Sequence, residues 1–264
     1  MLLHRVLSAL VGIPLLVWLL LLGGVPWLLS VGIVSAIGMG EMFNIVEKTD
    51  RNPLRILGWI SVLLIMIQNV LAPEQPGLVI AIIISFHLLL MVFGYNKIHL
   101  ADIGISIFAI LYVGWFMSHL YLLRIIPNGF SWVLFVFLAN WATDTAAYFV
   151  GRAFGKHKLA PSVSPNKTIE GSLGGIVGGI LVAIIFPQVA PNMPENATYP
   201  LLFLGILISI LGQLGDLVES AMKRKANIKD SGKIIPGHGG ILDRFDSILL
   251  TVPLAYYFIK FWIN

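Results

Sequence analysis

The sequence contains no cysteine and few charged residues. Only 11% of its 264 residues are Asp, Glu, Lys or Arg, against ~25% in a typical soluble domain. The absence of cysteine excludes a disulfide scaffold, thiolate catalysis and cysteine-bound zinc. A hydrophobic fraction of 58% excludes disorder, and it is too large to be hidden in one aqueous core. The composition therefore predicts an integral membrane protein.

Long apolar runs recur along the whole chain. A span needs ~20 mostly apolar residues to cross the hydrocarbon core of a bilayer. By this criterion the sequence predicts nine spans, at 6–22, 25–46, 54–72, 77–95, 103–125, 131–150, 171–189, 201–222 and 247–263. Because the runs show no alternation suited to barrel strands, we expect an all-α, polytopic integral membrane protein with about nine transmembrane helices.

Basic residues are distributed unevenly between the predicted connections. Of the 17 Lys and Arg, 14 fall after even-numbered spans, whereas Arg5 and Arg124 lie on the opposite side. The positive-inside rule therefore places the even connections and the C-terminus in the cytoplasm and the N-terminus outside. We expect a multi-pass protein of the cytoplasmic (inner) membrane. The net charge of +4 favours a negatively charged partner, such as phosphate or anionic lipid.

Two cytoplasmic connections, 151–170 and 223–242, are rich in Gly, Pro, Lys and His. Long structured loops of this kind often carry function. The chain shows no linker, no soluble second domain and no convincing internal repeat. The missing repeat argues against a transporter built from inverted halves.

Acidic residues occur inside the sixth and eighth spans. Asp144 interrupts the sixth span, and Asp216 precedes Ser220 and Lys223 on one helical face of the eighth. An ionisable group at membrane depth costs ~2.5–3.5 kcal/mol on insertion scales, so it usually faces protein or a wet cavity. Alternatively, the acids of the eighth span pair with Lys223 and Arg224 at an interfacial helix end, and Asp144 is neutral and hydrogen-bonded.

The segment 236–246 combines glycines, cations and acids. Its glycines allow backbone N–H groups to approach a phosphate, and Arg244 offers a charged fork beside them. Asp243 and Asp246 are three positions apart and suit Mg²⁺ held against substrate phosphates. The alternative for both acids is capping of the ninth helix.

The connection 151–170 ends in a second polar segment. Ser164, Lys167 and Thr168 are candidates for phosphate contact, and Glu170 for pairing with Lys167 or a metal. An ST-turn and an N-cap of the next helix are the alternative for Ser164 and Thr168. The glycines of 171–179 are spaced for close helix packing and carry no chemistry.

The run 220–246 resembles the phosphatidate cytidylyltransferase (CDP-diacylglycerol synthase) family. The family pattern is a Ser, then Lys-Arg, Lys-Asp, Pro-x-His-Gly-Gly and Asp-Arg-x-Asp. It is carried here by Ser220, Lys223, Arg224, Lys229, Asp230, Pro236, His238, Gly239, Gly240, Asp243, Arg244 and Asp246. The stretches 144–152 and 164–171 are also similar to that family. Detailed resemblance covers roughly the C-terminal half of the chain.

The resemblance implies an enzyme that joins CTP to phosphatidic acid and uses Mg²⁺ at a cytoplasmic site. Whether a second cation also binds is left open. It makes 131–264, with helices 6–9 and two cytoplasmic loops, the catalytic region, and 1–130 an N-terminal region of helices 1–5. The implied catalytic residues are Ser220, Lys223, Arg224, Lys229, Asp230, His238 and Arg244. The substrate-binding residues are Ser164, Lys167, Thr168, Glu170, Gly239 and Gly240, and the metal ligands are Asp144, Asp216, Asp243 and Asp246.

The expected partners are CTP, phosphatidic acid and the lipid bilayer, with no nucleic acid and with homo-oligomerisation left open. The main alternative function is a secondary transporter of an anionic solute. A transporter would need solute-binding polar residues near the membrane midplane and on both faces of the membrane. The polar residues of this sequence are instead predicted to cluster on the cytoplasmic face. A CDP-alcohol phosphotransferase would need a D-x-x-D-G-x-x-A-R arrangement, which the chain lacks.

Overall fold

The computed structural model describes residues 2–95, 98–190, 193, 198–235, 237 and 239–263. These residues form nine helices, listed here with their bounds: α1 Leu2–Leu22, α2 Gly24–Glu47, α3 Arg55–Leu71, α4 Pro76–Phe93, α5 Leu100–Ile125, α6 Gly129–Phe154, α7 Ile169–Val189, α8 Thr198–Lys225 and α9 Leu242–Trp262. Each predicted span overlaps one of these helices, so the largely helical class is confirmed.

Five of the described helices, α2, α5, α6, α7 and α8, are long and apolar enough to cross a membrane. The apolar stretches of α1, α3 and α4 are shorter. Asp243, Arg244 and Asp246 lie within the first five residues of α9, which makes its N-terminal end polar. The membrane character is therefore confirmed, whereas the number of nine spans stays a prediction.

A small hairpin interrupts the predicted loop between α6 and α7. Strand β1, Lys158–Ala160, pairs antiparallel with strand β2, Ser164–Thr168, and Lys158 lies opposite Thr168. No sequence pattern predicts this hairpin, because β2 reads Ser-Pro-Asn-Lys-Thr and lacks the apolar alternation of a half-buried strand. The hairpin brings β2 directly to the start of α7.

The chain divides into two compact units. The first contains Met1–Leu122 and Lys225–Arg244, and the second contains Leu123–Arg224 and Phe245–Asn264. The break after Leu122 lies close to the expected boundary at residue 130. The glycine-rich loop, however, groups with the first unit although it follows α8 in sequence.

Close helix packing in the second unit depends on the glycines of α7. A Cβ atom on Gly178 would lie 2.7 Å from the carbonyl oxygen of Ala142 in α6, which is closer than real Cβ contacts. A Cβ on Gly179 would lie 3.0 Å from the carbonyl oxygen of Gly205 in α8. The predicted packing role of these glycines is confirmed, because the bare backbone of α7 is what lets both neighbours approach.

Candidate functional site

Asp216 of α8 lies at the centre of the polar contacts in the second unit. Its Oδ2 is 2.7 Å from Nζ of Lys167, and its Oδ1 accepts a hydrogen bond of 3.2 Å from the hydroxyl of Ser220. Lys167 belongs to β2, so the hairpin delivers a cation to the acid on α8. The predicted Asp216–Ser220 face is present. Lys167 was predicted to contact phosphate or to pair with Glu170, and the structure pairs it with Asp216.

A buried ion pair occupies the next turn of α8. Nζ of Lys223 donates to Oε2 of Glu219 over 2.7 Å, and the Glu219 side chain is 0% exposed. This is the pairing that the interfacial interpretation predicted for an acid of this span. Arg224, by contrast, is exposed, and its Nε donates to the carbonyl oxygen of Val163 over 3.4 Å.

Asp246 lies in the same charged region of the second unit. It is half-buried on α9, and its Oδ1 accepts the N–H of Ser247 over 2.7 Å. Asp216, Glu219 and Asp144 lie close enough to Asp246 for their charges to repel its carboxylate. A Cβ on Gly215 would lie 2.5 Å from the backbone oxygen of Asp246, so α8 and α9 are in close contact here. Three of the four predicted metal ligands therefore share one region.

The spacing of these carboxylates decides what kind of divalent-cation site they can form. Neighbouring carboxylates repel one another, and a divalent cation would relieve that repulsion. Among the described residues no three acidic or histidine side chains are close enough to enclose a metal ion. Mg²⁺ usually keeps several waters and binds one or two carboxylates together with substrate phosphates. The acids around Asp246 therefore fit an open magnesium site completed by substrate, and they do not form an all-protein cage.

Asp144 is exposed on α6, and the polar residues that precede it tie the helices together. The Nδ2 of Asn140 donates to Oγ1 of Thr251 in α9 over 3.1 Å. The hydroxyls of Thr143 and Ser209 in α8 are 2.8 Å apart. Asn140, Thr143, Ser209 and Thr251 are all buried. These hydrogen bonds fix the helix that carries Asp144 relative to α8 and α9.

Thr168 begins α7 as its N-cap. Its Oγ1 accepts the N–H of Gly171 over 3.1 Å, and the residue is buried. The capping interpretation of Thr168 is therefore the one that the structure shows. Ser164, the first residue of β2, is half-buried.

Glu170 holds the chain that enters the hairpin. One carboxylate oxygen is 2.6 Å from Nδ1 of His157, and the other accepts the N–H of Lys156 over 3.0 Å. Pairing of Glu170 with Lys167 was predicted, and the structure pairs Glu170 with His157 instead. Lys167 contacts Asp216 of α8 instead.

In the first unit, Asp243 organises the glycine-rich segment. Its Oδ2 accepts the N–H groups of Ser231 and Gly240, both over 2.8 Å, and lies 2.9 Å from the hydroxyl of Ser231. Gly239 has a φ of +83°, which favours glycine, and forms a bridge with Ile235. Asp243 thus binds the backbone of the segment that precedes α9 rather than capping the N–H groups of the helix itself, and its role as a metal ligand stays a prediction.

The other predicted residues of this segment differ in their exposure to solvent. Lys229, Asp230 and Arg244 are exposed, while Gly240 is buried. His238 lies outside the described residues, so its predicted role stays a prediction.

Sequence analysis missed Glu41 of α2. This carboxylate is only 4% exposed, and its Oε1 accepts the N–H of Ile241 over 3.0 Å. Its Oε2 accepts the N–H of Leu242 and the hydroxyl of Ser231, both over 2.9 Å. The available signal was a lone acid in an apolar span, which is the criterion that singled out Asp144.

The sequence is similar to a protein family and to named relatives over nearly its whole length. The pattern of the Cytidylyltransferase family matches residues 3–262. A phosphatidate cytidylyltransferase of Staphylococcus saprophyticus is 38% identical over 255 residues, which cover 95% of this chain and 96% of that protein. The protein of the same name from Bacillus subtilis is 35% identical over 265 residues, or 96% of each chain. The similarity thus extends over nearly the whole length, including the first five helices.

Proposed function

Because the chain belongs to the cytidylyltransferase family, we propose that it transfers the cytidylyl group of CTP to phosphatidate, which gives CDP-diacylglycerol and pyrophosphate. The observation that carries the proposal is the full-length similarity to relatives named phosphatidate cytidylyltransferase. No observation favours the transporter of an anionic solute.

The proposed reaction is an in-line displacement at phosphorus. An oxygen of the phosphatidate phosphate attacks the α-phosphorus of CTP, a new P–O bond forms, and the bond to the β-phosphate breaks to release pyrophosphate. The attacking phosphate is already anionic at neutral pH, so no strong base is needed. Catalysis then depends on positioning the two anions and on balancing their charge.

We propose that exposed cations balance the charge of the leaving pyrophosphate. Arg224, Lys229 and Arg244 are exposed at the polar ends of α8 and α9 and in the loop between them. Guanidinium groups bind phosphate oxygens in a bidentate fashion, and an ammonium acts as a point charge. Lys167 is a fourth candidate, because a phosphate could replace Asp216 as its partner.

The proposed metal is Mg²⁺, with Asp144, Asp216 and Asp246 of the second unit as candidate ligands; one or two of them would bind it directly, and water and substrate phosphates would complete its coordination. The charges of Asp216 and Asp144 near Asp246 support this assignment. Asp243 of the first unit stays a predicted ligand. When bound, Mg²⁺ would neutralise charge on the phosphates of the substrates. The distribution of basic residues supports a cytoplasmic membrane location with this region facing the cytoplasm.

Pyrophosphate release by the purified protein tests the proposal. Release should require CTP, phosphatidate and Mg²⁺ together, and omission of any one should abolish it. Asp246→Asn should lower turnover at least ~10-fold and raise the Mg²⁺ concentration needed for half-maximal rate. Asp50→Asn, which changes an exposed acid of another connection, is the matched control. Flux of a solute across liposomes without CTP turnover would contradict the enzyme and favour the transporter.

A further inference from the structure

We propose that Glu41 of α2 is a positioning residue that holds the glycine-rich loop, meaning here the described residues of 226–241 together with the first turn of α9, in the conformation that binds substrate. The inference rests on the proposed function, which assigns phosphate contacts to Lys229 and Arg244 in this loop. Glu41 accepts hydrogen bonds from Ser231, Ile241 and Leu242, so it acts on the backbone that carries the predicted substrate-binding side chains.

Glu41 binds both ends of the loop through hydrogen bonds that span a long stretch of sequence. Its partners Ser231 and Leu242 lie 190 and 201 positions away, and both carboxylate oxygens are used. Among the described residues no Lys or Arg forms an ion pair with Glu41. The carboxylate instead accepts hydrogen bonds from two N–H groups at the start of α9 and from one hydroxyl.

Two glycines of the loop leave room for this carboxylate. A Cβ on Gly232 or on Gly240 would approach oxygen atoms of Glu41 well within 3.0 Å, a distance that real Cβ atoms essentially never show. The glycine at 240 is thus explained by contact with Glu41, in addition to any approach of the loop backbone to phosphate.

Ser231 lies between Glu41 and Asp243. Its hydroxyl oxygen is 2.9 Å from Oε2 of Glu41 and 2.9 Å from Oδ2 of Asp243. One hydroxyl hydrogen serves one acceptor at a time, but both carboxylates also accept backbone N–H groups of the loop. Glu41 and Asp243 therefore clamp the loop at residue 231 and at residues 240–242. Lys233, between these two points, stays exposed to solvent.

Replacement of Glu41 by Gln should release this clamp. The amide keeps one acceptor oxygen and turns an NH₂ group towards N–H or O–H donors, so two donors would face each other. Ser231→Ala is a milder change, because it removes one of the three donors and leaves Ile241 and Leu242 in place.

The natural absence of cysteine allows a direct measurement of loop order. A spin label on Lys233→Cys in the full-length protein should show restricted motion in the parent. Glu41→Gln should convert most of the spectrum to a mobile component, and Ser231→Ala a smaller part. The matched control is Asp102→Asn, because Asp102 is also a buried acid of the first unit, 5% exposed, and accepts the N–H of Asn52 over 3.1 Å in another connection. It should leave the label unchanged.

Kinetics separate positioning from folding. With thermal unfolding midpoints matched, Glu41→Gln should lower kcat/KM for CTP on the order of 10²-fold, because a displacement of about 1 Å in positioning groups has that effect. Unchanged label mobility and unchanged CTP kinetics in folded Glu41→Gln and Ser231→Ala would overturn the proposal. A mobile label in Glu41→Gln, with a parent protein that does not turn over CTP, would support the clamp and refute the proposed function.

Discussion

Single acidic residues of this chain differ by the kind of group that binds them. Glu41 and Asp243 accept backbone N–H groups, Asp216 and Glu219 pair with lysines, and Asp246 accepts the N–H of its neighbour Ser247. An acid that accepts backbone N–H groups fixes a loop. An acid that pairs with a lysine can exchange that lysine for another cation. Acids that repel one another favour the binding of a divalent ion. The bonding partner, more than the residue type, thus indicates which acid supports the fold and which supports chemistry.

Arg244→Lys tests the bidentate role of the exposed guanidinium. We expect kcat/KM for CTP to fall roughly 10-fold or more, because an ammonium cannot replace the two parallel hydrogen bonds of a fork. Arg51→Lys, at an exposed arginine of a different connection, is the control and should be neutral. Comparable kinetics for Arg244→Lys and the parent would identify Arg244 as an interfacial anchor only.

The buried Glu219–Lys223 pair predicts that removal of the lysine alone lowers stability and that removal of the opposing charge as well restores it. Lys223→Met leaves a buried carboxylate uncompensated and should destabilise the protein by about 3–5 kcal/mol. The double variant with Glu219→Gln should recover most of this, as measured by thermal unfolding in detergent. If Lys223 also binds phosphate, the double variant will be stable but impaired with CTP. Equal stability of single and double variants would exclude the ion pair as a stabilising contact.

At the scale of helices and strands, apolar runs predict most of the fold. The predicted span at 171–189 matches α7, Ile169–Val189, within two residues. The predicted apolar span begins at 247, whereas the ninth helix begins at Leu242, where the N–H of Leu242 donates to Glu41. Hydropathy detects burial in lipid and cannot detect such caps.

Packing of α7 predicts a clear contrast between two glycine substitutions. Gly178→Ala should destabilise the protein by about 1–3 kcal/mol, since the added methyl group overpacks the contact with α6. Gly104→Ala in α5 meets nothing within 4 Å and should be neutral or slightly stabilising, because Ala has the better helix propensity. Equal unfolding temperatures for the two variants would refute the close α6–α7 contact.

At the scale of the whole molecule, the distribution of basic residues predicts orientation. Single cysteines introduced as Glu74→Cys and Lys158→Cys lie in exposed connections after the third and sixth helices. A membrane-impermeant maleimide added to intact cells should label position 74 and should label position 158 only after the cells are opened. The reverse pattern would invert the predicted topology.

The candidate site could be predicted from sequence only where its residues are near one another in the chain. Local patterns identified Asp216, Ser220, Asp243 and the glycine-rich segment. Contacts between segments distant in sequence were not predicted, namely those of Lys167 with Asp216 and of Glu41 with Leu242. Such pairs depend on how helices pack, and one sequence carries no local signal for that. The clearest missed signal was the lone acid of α2.

Transfer of label from CTP tests the central claim most directly. The purified protein is incubated with phosphatidate, Mg²⁺ and CTP that carries radioactive phosphorus at either the α or the γ position. Attack at the α-phosphorus predicts that α-label appears in a lipid product, CDP-diacylglycerol, and that γ-label appears only in pyrophosphate. Appearance of γ-label in lipid, or the absence of any labelled lipid from α-labelled CTP, would contradict cytidylyl transfer by this chain.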